Sequence, residues 1–159
     1  MEDLKNIGKY RMMFNTANSF LEAAENLFNK ENSFVDGLHT PVIVNYAFAS
    51  EVYLKLLLLK EKSIKKKTHK LFDLYKQLSE DLQKEIVLRV FNSGIWIEDC
   101  WGRNELENIS NAFVKWRYCY EESTLHINTG YLQTFCVVLR EMCCEKIFNS
   151  KWEYLKGVI

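Results

Sequence analysis

The chain has 159 residues and a mass of 18.9 kDa, which suits one domain and is enough to bury a core without metal or disulfide staples. Its 21 Lys and Arg balance 21 Asp and Glu, which excludes a global field that would draw in nucleic acid or an anionic membrane, so any such partner must be met by a local patch. Five cysteines with no CxxC pair and no regular spacing exclude a disulfide framework and a zinc site and fit a reducing compartment.

Residues 1–20 carry Glu2, Asp3, Lys5, Lys9 and Arg11 with no sustained apolar run, so no signal peptide is visible and a cytoplasmic location is expected. Met13, Ala17, Phe20, Leu21, Ala24, Leu27 and Phe28 recur at steps of three and four, the stripe of a first long helix. Asn32 to Gly37 breaks it. The stretch "PVIVNYAFASEVYLKLLLL", Pro41 to Leu59, approaches membrane-spanning length, but Asn45, Ser50, Glu51 and Lys55 interrupt it. It reads as a helix at the centre of a bundle, with Thr40 as N-cap and Pro41 in the first turn.

"KEKSIKKKTHK", Lys60 to Lys70, gathers six lysines and His69. It is either a solvated loop or, held in place by the central helix before it, a contact for RNA phosphates through Lys65, Lys66 and Lys67. A short helix opens behind Thr68 with "LFDLYKQL", and Ser79 caps another that carries Leu82, Ile86 and Val90 and ends near Gly94. Leu106, Ile109, Phe113, Trp116 and Tyr120 mark a fifth helix; Leu132, Phe135, Cys136, Leu139, Met142, Cys143 and Ile147 mark a sixth. No segment reads as a strand, and with one proline and no low-complexity linker the expected fold is an all-α bundle over residues 1–159.

The residues that invite a functional reading lie inside this pattern. In "AFVKWRYCYE", residues 112–121, Arg117 stands among aromatic side chains and four residues before Glu121. Arg117 can close the rim of an aromatic core through Glu121 or Glu51, or it can hold a phosphate. Glu51 and Lys55 stand four apart in the favourable order for a helical ion pair. They read either as a pair joining helices at the mouth of the bundle or as ligand contacts. Tyr118, Tyr120, Trp116 and Trp101 are candidates to stack unpaired bases; Trp116 and Tyr120 fall on the apolar stripe, leaving Tyr118 as the better candidate for exposure. His69 reads as a cap or packing residue, and His39 as ordinary loop.

The "ASEVYLKLLL" pattern in the second helix, "KTHKLFDLYKQL" after a basic loop and "FVKWRYCYE" later in the chain resemble the HEPN-domain superfamily over about residues 12–148. The resemblance implies an antiparallel helical bundle with four to five main helices, frequently a homodimer, of the kind found in bacterial and phage conflict systems, toxin pairs and abortive-infection proteins. Many such proteins are metal-independent endoribonucleases in which an arginine and a histidine four to six residues apart line a cleft at the dimer interface; others only bind. Here Arg117 and His126 are separated by eight residues, and on a continuous helix nine steps of about 100° would put them on opposite faces. Only a break near Ser123 would bring them together.

Two classes of function follow. One is a non-catalytic binding or assembly module acting through RNA, a nucleotide or a partner protein, with Glu51, Lys55, Lys65, Lys66, Lys67, His69, Tyr118 and Glu121 as contacts. The other is an endoribonuclease using an irregular pair, Arg117 for the phosphate and His126 for the 2′-hydroxyl proton. Neither calls for a cofactor, a metal or a membrane. The implied homodimer, joined near the fifth and sixth helices, is expected to appear in light scattering across a wide concentration range; a strict monomer at high concentration would count against any shared cleft.

Overall fold

The computed structural model describes residues 2–29, 37–62, 64–94, 103–121 and 125–157. Among them every regular element is helical: α1 Glu2–Phe28, α2 His39–Glu61, α3 Leu71–Tyr75, α4 Glu80–Asn92, α5 Arg103–Ile109, α6 Ala112–Arg117, a 3₁₀ turn Cys119–Glu121, α7 Thr129–Phe148 and α8 Trp152–Leu155. Of the break expected at Asn32 to Gly37, only Gly37 is described, with φ 72°. Cys100, Trp101 and Ser123 lie outside the described residues.

α2 is the hub. Its apolar residues face all sides, and α1, α3, α6 and α7 all pack on it. By length and composition it could cross a membrane, but 67% of its most apolar window is buried inside the bundle. The helix begins at His39, one residue before the expected cap, and Leu38 precedes it without a side-chain cap. Thr40 therefore lies in the first turn, where its hydroxyl faces the Cys119 Sγ at 3.6 Å. The far end closes at Lys62, whose left-handed backbone (φ 56°) lets its N–H reach the Leu58 and Leu59 carbonyls.

α1 runs antiparallel to α2. Glu25 accepts from the Tyr46 hydroxyl and Asn18 from the Tyr53 hydroxyl, so partners advance along one helix as they retreat along the other. α7 runs parallel to α2: Thr129 pairs with His39 at one end, and the Cys143 thiol donates to the Tyr53 carbonyl at the other. Gln133 of α7 also donates to Glu25, so one carboxylate of α1 ties three helices. The α1 stripe is seated by Tyr10, Phe14, Ala17, Leu21 and Ala24, all buried, while Phe20 turns outward against Phe48.

The expected fifth helix is two helices. Ser110 interrupts it and gives its backbone carbonyl to the Leu71 N–H (3.0 Å) and its hydroxyl oxygen to the Phe72 N–H (3.0 Å). These are amides at the start of α3 that no earlier turn of their own helix can satisfy. The interruption of one helix thus caps another. A second consequence is that α6 ends at Arg117, and the 3₁₀ turn carries Tyr120 out to 76% exposure, off the stripe where helical spacing put it. Trp116 stays buried and packs edge-on against His39.

α4 is fastened to α7 by ions. Arg89 grips both oxygens of Glu145 and one of Glu85, and Lys146 takes the other Glu85 oxygen at 2.8 Å. The Arg89 hydrogen bond holds the Glu145 carboxyl below its ordinary value. For Glu85, partial burial works upward, and the hydrogen bonds from Lys146 and Arg89 outweigh it. Both carboxyls are depressed in the fold, so their contribution is present above the unfolded value near 4.5 and is lost as pH falls through the folded values. Arg89→Ala is expected to lower Tm at pH 7 by a few degrees, at about 2–4 °C per kcal/mol for a chain of this size, with screening keeping the effect modest. Melting curves from pH 7 to 3 should also show a shallower acid loss in the variant than in the parent. An equally steep loss would assign acid sensitivity to other groups.

Candidate functional site

The centre of the candidate site is Glu51, buried to 1% exposure on α2. Its Oε1 takes the Lys55 Nζ at 2.5 Å and the His69 Nδ1 at 2.8 Å, whereas its Oε2 has no hydrogen-bond partner among the described residues. A carboxylate ion-paired to lysine can only accept, so Nδ1 of His69 carries the hydrogen, and the neutral tautomer compatible with this contact has its lone pair on Nε2. His69 is mostly exposed, with 64% of its side chain open to solvent. The result is an imidazole aimed outward and oriented from behind by a buried acid. The first amides of α3 are held by Ser110 and not by the His69 side chain.

The lysine run is held by its neighbours. Gln77 Oε1 accepts from the backbone N–H of both Lys65 and Lys66 (2.8 Å each), and its Nε2 donates to the Lys66 and Asp73 carbonyls. At the base, Glu61 accepts from the Ser79 N–H and hydroxyl, clasping the end of α2 to the cap of α4. The side chains of Lys65, Lys66 and Lys67 are exposed and form no ion pair with any described residue. Gln77 has no signature in sequence, because its role depends on a chain reversal that no local pattern encodes.

From His69 the site continues over aromatic rings. His69 lies 6.2 Å from Phe113 between centroids, and Phe113 lies 5.2 Å from Phe48. The Arg117 guanidinium stands 4.9 Å over Phe113 and 5.4 Å over Tyr118, and Tyr118 meets Tyr120 edge-on at 6.3 Å. The ion pairs considered for Arg117 with Glu121 or Glu51 are not formed. Arg117 is exposed, pairs with no carboxylate among the described residues, and keeps one long hydrogen bond of 3.5 Å to the Tyr118 hydroxyl. Glu121 is exposed in the 3₁₀ turn.

His126 stands apart from this cluster. Leu125 and Ile127 pack against the core, and His126 between them faces solvent. It forms no hydrogen bond, ion pair or ring contact with Arg117. The opposite-face argument no longer applies, since α6 stops at Arg117. His39 is not loop: its ring packs on Trp116 and its Nε2 meets the Thr129 hydroxyl at 3.2 Å, and burial lowers its pKa.

The three buried thiols of α7 are poor nucleophiles. Burial pushes Cys136 and Cys144 up to about 12 and Cys143 well above its ordinary value. Among the described residues, no group of three or more His, Cys, Asp or Glu is arranged to hold a metal ion. Compared with known proteins, the chain matches no family model, no curated protein and no solved structure.

The exposures around Glu51 are unequal, and this decides what each substitution does. Lys55 and His69 can turn to water when Glu51 is removed, but Glu51 cannot when Lys55 is removed. Lys55→Ala is expected to cost about 1–3 kcal/mol, the penalty of a buried charged group losing a partner, whereas Glu51→Leu should fall within about 1 kcal/mol of the parent. Urea denaturation of the two variants reads the difference. If Glu51→Leu is the more damaging, the carboxylate is a structural tie.

Proposed function

We propose that this protein binds single-stranded RNA as a non-catalytic helical module, of the conflict-system kind that its sequence resembles. The observation that carries the reading is continuity: His69 follows the clasped lysines in the chain, and its ring lies 6.2 Å from Phe113, over which Arg117 stands. Single strands are held by a cationic track for the phosphates and by ring faces for the unpaired bases, the latter worth about 1–3 kcal/mol per base. Lys65, Lys66 and Lys67 supply the track, and Tyr118 and Tyr120 supply exposed faces. Arg117, spread over Phe113 and Tyr118, offers both a charge and a stacking plane. The Gln77 clasp limits the entropy lost when the loop meets a ligand.

The Glu51–His69 hydrogen bond favours a second reading, metal-independent cleavage of the strand with His69 as base in place of His126. In that reaction Nε2 takes the 2′-hydroxyl proton, the 2′-oxygen attacks phosphorus, and the 5′-oxygen leaves and takes a proton from water. Lys55, on the same Glu51 oxygen as His69, and Arg117, over the Phe113 ring that His69 meets, would balance charge developing on the phosphate.

Fluorescence anisotropy with a labelled single-stranded oligoribonucleotide separates the readings. Changing Lys65, Lys66 and Lys67 together to Ala is expected to weaken binding and to flatten the salt dependence by about 0.7 for each phosphate that is no longer neutralised. Arg117→Ala should weaken it by roughly 5- to 100-fold, the worth of one stacked base, with Tm little changed because the side chain is exposed. Unaltered affinity in both variants would sink the binding surface. Cleavage in EDTA that disappears in His69→Ala and survives in His126→Ala would replace the first reading by the second.

A further inference from the structure

Behind the lysine loop lies a cavity of about 370 Å³, within the range of small-molecule sites. Its floor is aliphatic: Met13 from α1, Leu58 and Leu59 from the end of α2, Ile64 from the loop and Leu74 from α3. Its cations are Lys9, Lys55, Lys66 and Lys67, and His69 and Thr68 supply an imidazole and a hydroxyl. Among the described residues, no carboxylate, side-chain amide or benzenoid ring lines it. The imidazole of His69 is already engaged by Glu51, and Lys55 by the same oxygen, which leaves Lys9, Lys66 and Lys67 to meet a ligand. These three come from two directions, α1 on one side and the loop on the other, and pair with no described carboxylate.

We propose that this pocket binds an aliphatic carboxylate, a fatty-acid anion of medium chain length. The chain lies on the Met13, Leu58, Leu59, Ile64 and Leu74 floor, and the carboxylate meets Lys9, Lys66 and Lys67 at the mouth. A nucleotide would also be anionic, but nothing in the lining can stack on a base or read its edges, whereas an aliphatic chain needs only the apolar surface that is present. The volume of about 370 Å³ is at the small end of ligand sites, which suits a chain of medium length such as a ten-carbon carboxylate. The two proposals share Lys66 and Lys67, but the apolar floor plays no part in the RNA surface, so the inference does not rest on that reading.

The test is calorimetric titration of the whole chain with decanoate below its micelle concentration, in the absence of RNA, so that success or failure is independent of RNA binding. One saturable site per chain is expected. Ile64→Asp, which places an acid on the floor, and the double reversal Lys9→Glu with Lys67→Glu should each weaken binding by about tenfold or more. Ile64, Lys9 and Lys67 are all exposed enough to change without disturbing the core. Decanol and acetate, lacking the head or the chain, should each bind at least about tenfold less tightly than decanoate. The proposal is overturned by any of four results: no saturable decanoate binding, many molecules bound per chain, equal binding of decanol or of adenosine monophosphate, or decanoate affinity unchanged in both variants.

Discussion

The burial of α2 on all sides is the constraint from which the rest of the structure follows. A helix with apolar residues around its whole circumference has no solvated face to offer, so other helices must surround it. α1, α3, α6 and α7 do so, and the chain order is the path needed to bring them there. Whatever polar group lies on that helix is carried into the interior with it. Ser50 is satisfied locally by the Tyr46 carbonyl. Glu51 is met locally at one oxygen by Lys55, one turn on, and the loop after α2 folds back so that His69 reaches the same oxygen.

A second consequence concerns the backbone. Short helices packed around a hub expose many terminal amides to the interior, and each needs an acceptor. Ser110 provides two acceptors to α3 at the cost of continuity between α5 and α6. Ending α6 at Arg117 then changes what the following aromatics can do: Tyr118 and Tyr120 face solvent, and the guanidinium lies over rings with no carboxylate beside it among the described residues. The exposed cationic and aromatic surface is in this sense a by-product of capping α3.

The charges divide into two kinds by what surrounds them. The Arg89, Glu85, Glu145 and Lys146 group is partly open to water and has both signs in reach, so it joins α4 to α7 at little desolvation cost. Glu51 is the opposite case, with one oxygen doubly engaged and the other without a described partner. A buried carboxylate satisfied on one side contributes little to stability compared with an aliphatic residue of the same size. Its effect on His69 is specific, because it fixes the tautomer and turns Nε2 outward.

The sequence by itself determined the helical elements and the hub. The recurrence of Ala17, Leu21 and Ala24, the largely apolar run from Val42 to Leu58, the Ser79 cap and the stop at Gly94 are local signals, written in residues a turn or less apart, and helix formation depends on that range. The same range made Glu51 and Lys55 legible as an ion pair and the lysine run legible as a charged loop. What depended on contacts across the chain was decided only by the tertiary structure. Ser110 breaks a helix because of amides 38 residues earlier in sequence. His69 turns to Glu51 across 18 residues, Gln77 clasps Lys65 and Lys66 by reversing the chain, and Arg117 ends up over Phe113 without an acid because α6 stops beneath it. No periodicity encodes these pairings, since each comes from closing a loop and satisfying a buried polar group wherever the packing of α2 has left one.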